Sequence, residues 1–412
     1  MFGLLQRWVV DGRFVSSLFL LSLFGVAMVY SAGAINTPDP VVTEAWRRQA
    51  LWLAIAVVGF TVVSRIQLRW WEWSATPAYV FALVLLAATL VIGTGGTGTA
   101  EGTRSWIDLG LVRFQPSEFA KIATVLALAR FLSTKDQPPN GLRDLLAPSF
   151  LVAVPLCLLI LQGDLGSGMA FVGLLFAMLY WARTPLLLLL FVMSPVFGLV
   201  LTFDTLVWSA YIGVLLLVLY LYRYRLFLYE SAAVFVANVA AGAIAAPLWH
   251  SLRPHQQNRL LVFLDPTVDP RGAGYNLMQS KVAIGSGGLT GKGFLQGTQK
   301  RFDFLPEQHT DFVFSVIGEE LGFLGVVLTL LLLAYILYRL VRMAEGANDA
   351  FAGLVVFGTF GVWLVHICIN TGMTMGMFPI TGIPLPFVSY GGSFLLACWL
   401  AAGMAARLAH EE

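Results

Sequence analysis

The sequence has few charged residues, and this shortage excludes an ordinary soluble fold. Only 12% of its 412 residues are Asp, Glu, Lys or Arg, against about 25% in typical soluble domains. Hydrophobic residues make up 58% of the chain, which is more apolar surface than a water-soluble core can bury. The formal net charge is only +2 and the basic residues are scattered, so no nucleic-acid partner is expected.

Cysteine and histidine are also scarce, and their spacing excludes several kinds of site. Cys157, Cys368 and Cys398 lie in apolar stretches without CxxC spacing, so neither a disulfide nor a zinc site is expected. The five histidines form no HExxH or similar pattern, which argues against a metal cage built by the protein. A hydrated Mg²⁺ shared between carboxylates and a phosphate would leave no such pattern. A divalent cation such as Mg therefore stays a candidate cofactor.

Long apolar runs are what the sequence has in abundance. A helix needs about 20 apolar residues to cross a bilayer, and a membrane helix satisfies its own backbone hydrogen bonds. We therefore predict an all-α fold, a polytopic transmembrane helical bundle formed by a single domain over 1–412. The twelve predicted helices are 15–34, 47–64, 76–93, 117–132, 147–162, 165–182, 185–203, 206–222, 231–250, 312–338, 350–372 and 386–408.

The basic residues are concentrated in alternate connections between these helices. Arg183 and Arg339 are examples, whereas the connections at 163–164, 204–205 and 373–385 contain no Lys or Arg. By the positive-inside rule, both termini are predicted to be cytoplasmic. The first apolar run is long and lacks a clear cleavage site, so it is interpreted as a retained span of a multi-pass protein.

Two connections, 94–116 and 251–310, are too long to be simple links, and this topology places both outside. Loops of such length are usually functional or disordered, but the second contains apolar segments suited to lying on the membrane, so we predict that it is folded. Its seven Lys and Arg and four Asp and Glu leave a net charge of +3. A basic surface beside a bilayer suits an anionic ligand such as a lipid phosphate. Contact with membrane lipid headgroups explains the charge equally well.

Ionisable residues cluster where the second long loop meets the next helix. Thr310 is a predicted N-cap, which would put Asp311 in the first turn, where the helix dipole favours a carboxylate. A charged Asp could act as a general base, although an ordinary first-turn acid is the commoner explanation. The adjacent pair of glutamates could be one buried ion pair plus one interfacial acid. The cluster consists of Glu307, His309, Asp311, Glu319 and Glu320.

The first long loop is rich in glycine and then carries several polar and aromatic residues. Trp106, near Arg104, could stack on a sugar or anchor the loop at the membrane interface. Glu118 and Lys121 are three residues apart at a helix start, so they can pair on one face. Asp164 is a predicted N-cap of a later helix and only a weak site candidate.

The segment GSGGLTGKGF, 285–294, has the look of a phosphate-binding loop but departs from the Walker A pattern. Ser286 stands where the first glycine should be, and Gly293 where Ser or Thr should be. Its glycine amides and Lys292 could still bind a pyrophosphate. A tight turn at the interface is the alternative.

Four segments together resemble the SEDS family (shape, elongation, division and sporulation), over nearly the whole chain. They are RSWIDLGLVRFQPSEFAK, QGDLGSG, the stretch from QNRLLVFLDP to PEQHTDFVFSVIGEELG, and GIPLPFVSYGGS. The stretch QSKVAIGSGGLTGKGFLQGTQ resembles the RodA-type elongation branch more than the division branch. The resemblance implies an inverting peptidoglycan glycosyltransferase that polymerises lipid II on the outer face of the bacterial cytoplasmic membrane and releases undecaprenyl pyrophosphate. It implies a role in cell elongation and rod-shape maintenance, with a class B penicillin-binding protein transpeptidase as partner.

The resemblance also implies roles for individual residues. Asp311 matches the essential aspartate of the PExHTDF motif, so it is the expected catalytic base. Arg259, Lys281, Lys292 or a divalent ion would stabilise the leaving pyrophosphate. The residues expected to bind substrate or support the site are Arg104, Trp106, Glu118, Lys121, Arg259, Lys281, Lys292, His309, Glu319 and Ser389.

Two departures from the family pattern stand out. The family normally has ten spans rather than twelve, and the surplus is an apparent additional hairpin over 204–230. Gly163 replaces the usual proline of QPDLG, which puts the rigidity of that turn in doubt.

The alternative functions are a lipid II flippase or other lipid transporter, and a non-catalytic scaffold of the wall-synthesis complex.

Overall fold

The structure, a computed structural model, describes residues 11–36, 40–95, 103–108, 110, 112–222, 228–270, 272–302 and 304–410. Helices form most of the described chain. In order they are α1 Gly12–Ala32, α2 Pro40–Thr43, α3 Ala45–Val63, α4 Leu68–Ile92, α5 Pro116–Ser133, α6 Leu142–Gln162, α7 Leu165–Trp181, α8 Leu186–Leu201, α9 Thr205–Leu221, α10 Leu228–Ser251, α11 Pro254–Leu264, α12 Ala273–Ser286, α13 Thr298–Arg301, α14 Val313–Glu345, α15 Ala350–Met375 and α16 Gly392–Leu408.

Each of the twelve predicted helices coincides with one of these. Among the described residues, seven helices are long and apolar enough to cross a membrane: α1, α3, α4, α6, α10, α14 and α15. Four more, α7, α8, α9 and α16, are apolar but shorter. The chain is thus a multi-pass helical membrane protein, as predicted. The unpredicted helices α11, α12 and α13 fold the second long loop, and the first contains a two-stranded antiparallel hairpin, β1 Ile107–Asp108 and β2 Arg113–Phe114.

The starts predicted for α4, α6 and α16 were wrong by five to eight residues, and the cap predicted for α14 was wrong as well. The last helix, α16, begins at Gly392 rather than at 386, because Leu385 and Ser389 close a turn before it. Helix α14 begins at Val313, with Phe312 at the N-cap position and without a side-chain cap. Thr310 is therefore not the N-cap, and Asp311 precedes the helix instead of lying in its first turn.

Helix α14 is broken at Gly322, whose backbone angles are φ 63° and ψ −161°. A break leaves backbone donors and acceptors without helical partners, which is costly in a membrane protein. The glycine segment 285–294 satisfies them. Four hydrogen bonds of 2.8 to 3.1 Å join the two elements: Phe323 N–H to Gly288 O, Leu324 N–H to Leu289 O, Lys292 N–H to Glu319 O and Gly293 N–H to Glu320 O.

The chain divides into two compact units: the first comprises Met1–Thr134, Leu151–Met178 and Asn258–Glu412, and the second Lys135–Phe150 and Leu179–Gln257. The second unit contains α8, α9 and α10. Asn238 joins these helices, because its side chain bonds to Ser194 Oγ and to Tyr211 Oη at 2.7 and 2.6 Å. The predicted additional hairpin lies here, although 223–227 fall outside the described residues. Every predicted site residue belongs to the first unit.

Candidate active site

Asp311 lies in a tight turn immediately before α14. Glu307 has a left-handed backbone conformation, with φ 54°, and its carbonyl oxygen accepts the N–H groups of Thr310, Asp311 and Phe312 at 3.2 to 3.3 Å. Burial raises the pKa of the Glu307 carboxyl, and a hydrogen bond from the Thr310 side chain partly opposes this shift. The Asp311 side chain is 6% exposed. The turn therefore presents a nearly buried carboxylate from a backbone that local hydrogen bonds fix.

Two long-range contacts fix this turn against the rest of the first unit. The Asn370 amide Nδ2, on α15, donates to Asp311 O at 3.0 Å and to Ile383 O at 2.7 Å. The Tyr390 N–H donates to His309 O at 2.9 Å, and the two side-chain rings lie 5.4 Å apart. The segment GIPLPFVSYGGS, one of the four that resemble the family, thus packs directly beside the PEQHTDF motif.

Arg259 is the predicted cation that the structure places near Asp311. It is half-buried on α11, and burial lowers the pKa of its guanidinium, whereas Asp311 and Asp164 raise it. An arginine stays protonated despite such a shift. Asp164 is the N-cap of α7, as predicted, because it accepts from Ser167 N–H and Oγ at 2.9 and 2.8 Å. One guanidinium therefore lies in the field of two carboxylates from distant parts of the sequence.

Glu118 and Lys121 form the predicted ion pair on α5. Lys121 Nζ lies 2.8 Å from Glu118 Oε2, and the side chains are 2% and 3% exposed. His366 completes the group, because its Nε2 lies 2.9 Å from Lys121 Nζ and its Nδ1 lies 3.1 Å from Pro384 O. A carbonyl can only accept, so Nδ1 carries the proton and Nε2 accepts from the ammonium. A cavity of about 30 Å³ adjoins the pair, enough room for one water molecule.

The adjacent glutamates of α14 both form ion pairs with the loop. Glu319 Oε1 lies 2.7 Å from Lys292 Nζ and also accepts the N–H groups of Thr298 and Gln299 at 2.7 and 3.0 Å. Glu320 pairs with Lys300. The expectation of one buried pair and one interfacial acid was therefore wrong, since both carboxylates are buried and each faces a cation.

The glycine segment does not form the phosphate loop considered above. The N–H groups of Lys292 and Gly293 bond to α14 carbonyls, and a Cβ on Gly291 would meet Glu320 O at 2.0 Å. These glycines allow two backbones to approach closely. The segment is a tight turn, as the alternative interpretation predicted, and its place at the membrane interface stays a prediction. The Lys292 side chain is paired with Glu319.

The candidates of the first long loop lie at its base. Arg104 is exposed, and its backbone N–H donates to the backbone oxygen of Gln162 at 3.0 Å. Trp106 is half-buried, and its carbonyl accepts the Thr94 N–H at 2.8 Å. These contacts connect the loop to the ends of α4 and α6, while residues 96–102 lie outside the described residues.

Lys281 and Ser389 occupy contrasting positions. Lys281 is exposed on α12, beside Gly376, where an added Cβ would meet its Nζ at 2.5 Å. Ser389 is buried, and its Oγ accepts the Leu385 N–H at 2.8 Å. The carbonyl of Ser389 accepts from Gln49 Nε2 at 3.1 Å. Ser389 thus closes the turn that leads to Tyr390, a structural task.

Three residues that contact this site were not predicted from the sequence. Asn370 and His366 are polar residues within the apolar helix α15, a signal that often marks function in a membrane helix. Lys300 was counted only as one loop charge. Its burial depends on Ser31, 269 residues away, which no local pattern reveals.

A metal ion finds limited support among the described side chains. No group of three or more His, Cys, Asp or Glu residues there has metal-binding geometry. Asp311 and Asp164 supply carboxylate oxygens, the donors that Mg²⁺ prefers, but Mg²⁺ usually shares one or two carboxylates with substrate phosphates. The residues therefore fit a cation that arrives with a phosphate better than a resident one.

Comparison with known proteins identifies the family. The sequence matches the profile of the FtsW/RodA/SpoVE family, described as cell cycle protein, over residues 13–232 and 205–412. It is 36% identical over 386 residues to the peptidoglycan glycosyltransferase MrdB of Escherichia coli K12, covering 93% of this chain and 91% of that protein. It is 33% identical over 429 residues to the peptidoglycan glycosyltransferase RodA of Treponema pallidum, covering 97% of each.

Solved structures agree with these sequence matches. A chain from a peptidoglycan synthase complex, solved in work on the structural coordination of polymerization and crosslinking, superimposes with a TM-score of 0.71 at 29% identity, covering 97% of this chain and 98% of that chain. The rod shape determining protein RodA of Thermus thermophilus gives 0.63 at 25% identity, covering 98% and 99%. With its motifs, helices and relatives in agreement, the chain belongs to the FtsW/RodA/SpoVE family of cell cycle proteins.

Proposed function

We propose that this chain is a peptidoglycan glycosyltransferase that polymerises lipid II into glycan strands, with Asp311 as the general base. The observation that carries the proposal is the setting of Asp311. Its carboxylate is nearly buried, its backbone is fixed by Glu307 and Asn370, and a guanidinium lies in its field. Relatives at 36% and 33% identity have this activity in their names.

In the proposed reaction, Asp311 removes the proton from the sugar hydroxyl of one lipid-linked disaccharide. The hydroxyl oxygen forms a bond to the anomeric carbon of a second disaccharide as the bond from that carbon to the pyrophosphate oxygen breaks. A base must lie within about 2.6 to 3.2 Å of the hydroxyl, or act through one water. A single displacement inverts the anomeric configuration and leaves no covalent sugar intermediate.

Arg259 is the residue we assign to the departing pyrophosphate. Pyrophosphate is a good leaving group, so the protein needs to stabilise its charge rather than protonate it. Arg259 offers several N–H donors in a planar fork that suits phosphate oxygens. The Asp164 carboxylate, which raises the pKa of this guanidinium, would balance part of its charge. Lys292 is less suited, since it is paired with Glu319, and a Mg²⁺ bound with the phosphates would add further positive charge.

We place this reaction on the outer face of a bacterial cytoplasmic membrane, with both termini in the cytoplasm. The distribution of basic residues supports that orientation, and undecaprenyl-linked substrates reside in that membrane. We further propose a class B penicillin-binding protein as partner and a role in cell elongation and rod shape. A structural neighbour from a peptidoglycan synthase complex supports the partner, and the name of the Thermus relative supports the role.

The product formed from lipid II tests this function. The purified chain, together with its transpeptidase partner, is reconstituted in vesicles and given lipid II. Glycan strands from wild type and none from Asp311→Asn are expected, and Arg342→Met on the exposed end of α14 is the matched control. Movement of lipid II across the vesicles without polymer would favour a transporter, and neither polymer nor movement would favour a scaffold.

A further inference from the structure

A second group of buried charges lies near the Asp311 turn and is not explained by the reaction itself. Lys300 and Glu320 form an ion pair whose side chains are both 0% exposed. Lys300 Nζ also donates to Ser31 O at 2.7 Å, and Ser31 Oγ donates to Glu320 Oε2 at 2.6 Å. We call Ser31, Lys300 and Glu320 the Lys300 cluster. It joins α1, α13 and α14 at one point.

The Lys300 cluster brackets the turn that carries Asp311. Lys300 lies eleven residues before Asp311 and Glu320 nine residues after it, so their pairing closes the intervening chain into a loop. Gln308 connects this closure to the turn, because its Nε2 donates to Ala32 O at 3.0 Å and to Lys300 O at 3.4 Å. Gln308 itself is 2% exposed. Gln308 lies within the turn that the Glu307 carbonyl closes, so a buried hydrogen bond joins this turn to the backbone of the residue that bears the ion-paired ammonium.

The energetics of a buried ion pair argue against a purely stabilising role. Removing two charges from water carries a large desolvation cost, and proteins with apolar replacements of both partners are often equally stable. What such a pair fixes is a geometry, because each charged group has a limited set of satisfying positions. Here the ion pair fixes the position of α13 against α1 and α14. The Asp311 turn lies between α13 and α14 in the sequence and bonds to the end of α1 through Gln308.

We propose that Lys300 and Glu320 are positioning residues that hold the Asp311 carboxylate where the acceptor hydroxyl arrives. This inference rests on the proposed function of Asp311. The base acts only over a hydrogen-bond distance, and a misplacement of about 1 Å can cost on the order of 100-fold in rate. Loss of the Lys300 cluster therefore lowers kcat and leaves KM for lipid II near its wild-type value.

Removing one charge of the ion pair, and then both, separates a positioning role from a stabilising one. Glu320→Gln alone leaves a buried ammonium without its carboxylate, so both stability and kcat fall. Lys300→Met with Glu320→Gln removes both charges, so stability recovers, but kcat stays on the order of 10- to 100-fold below wild type. The matched control is Arg342→Met with Glu345→Gln, an exposed ion pair of 2.7 Å on the same helix, which leaves kcat unchanged.

A second variant keeps the test decisive if the double variant fails to fold. Gln308→Leu removes the amide that connects Lys300 to the Asp311 turn and buries no charge. It is expected to fold and to show the same fall in kcat at unchanged KM, per folded molecule. Wild-type kcat in either folded variant would overturn the proposal, as would a rise in KM with kcat unchanged.

Asp311→Asn, assayed in the same experiment, distinguishes a failure of the positioning role from a failure of the proposed function of Asp311 as the base. If Asp311→Asn polymerises lipid II normally, the proposed base is wrong. If Asp311→Asn is inactive while the folded Lys300 cluster variants have wild-type kcat, only the positioning role is wrong.

Discussion

Removing Lys121 alone should destabilise the folded chain severely. Lys121 Nζ lies 2.8 Å from Glu118 Oε2, with side chains 2% and 3% exposed, and 2.9 Å from His366 Nε2. Lys121→Met therefore leaves a carboxylate without its cation and an imidazole acceptor without its donor. Breaking one side of a buried ion pair costs about 3–5 kcal/mol, and we expect a loss of that size in the free energy of unfolding.

An exposed pair with the same helical spacing provides the control. Arg47 and Glu44 are three residues apart and lie 3.3 Å from each other, with side chains 66% and 53% exposed. Exposed pairs contribute about 0–1 kcal/mol, so Arg47→Met should have a small effect. Reversible unfolding in mixed micelles, measured for both variants, compares the two sites directly.

A double variant isolates the interaction between the two charges. Glu118→Gln with Lys121→Met removes both, so it should be more stable than Lys121→Met by an interaction energy of about 0.5–3 kcal/mol. If Lys121→Met unfolds within about 0.5 kcal/mol of wild type, the pair is not buried as described and the reasoning fails.

Three further predictions concern the surroundings of Asp311. Burial raises the pKa of Glu307 above its ordinary 4.5, so the folded state holds this proton longer than the unfolded state, and the contribution to stability is lost as pH rises above about 4.5. The stability of Glu307→Gln relative to wild type should therefore increase with pH over that window, and a flat difference would contradict the assignment. Gly163 has φ 84° and donates its N–H to Ile160 O at 3.0 Å, neither of which proline permits. Gly163→Pro should cost about 3 kcal/mol in unfolding free energy, and wild-type stability would refute the left-handed turn. Asn370→Leu removes the donor to Asp311 O, so kcat should fall on the order of tenfold at unchanged KM; an unchanged kcat would show that this contact does not position the base.

Local patterns predicted the helices well because apolar run length is a local property. All twelve predicted runs coincide with helices, and the pairing of Glu118 with Lys121 followed from their spacing of three residues. The break in α14 could not be predicted in this way, because Gly322 resembles any glycine in an apolar helix. The break is stabilised by hydrogen bonds from the segment 285–294. From the sequence, the glycines of that segment seemed equally suited to binding a phosphate.

The contacts that define the candidate site are mostly between residues far apart in sequence. Asn370 bonds to Asp311 across 59 residues, and Lys300 to Ser31 across 269. A single sequence does not encode such pairs in any local pattern. From residue types alone, an ordinary first-turn acid was the commoner explanation for Asp311. The resemblance to the family motif predicted that it is the catalytic base. The structure then placed it before α14, in a turn that Glu307 closes.

The polymerisation rate of Asp311→Asn at saturating lipid II tests the central claim most directly. Asparagine preserves the shape of the side chain but cannot accept the proton, and general base catalysis contributes about 10²- to 10⁴-fold. The account predicts a fall of at least about 100-fold in kcat, with lipid II still bound at near wild-type affinity. A rate within about threefold of wild type, far less than a general base contributes, would contradict the assignment of Asp311 as the base.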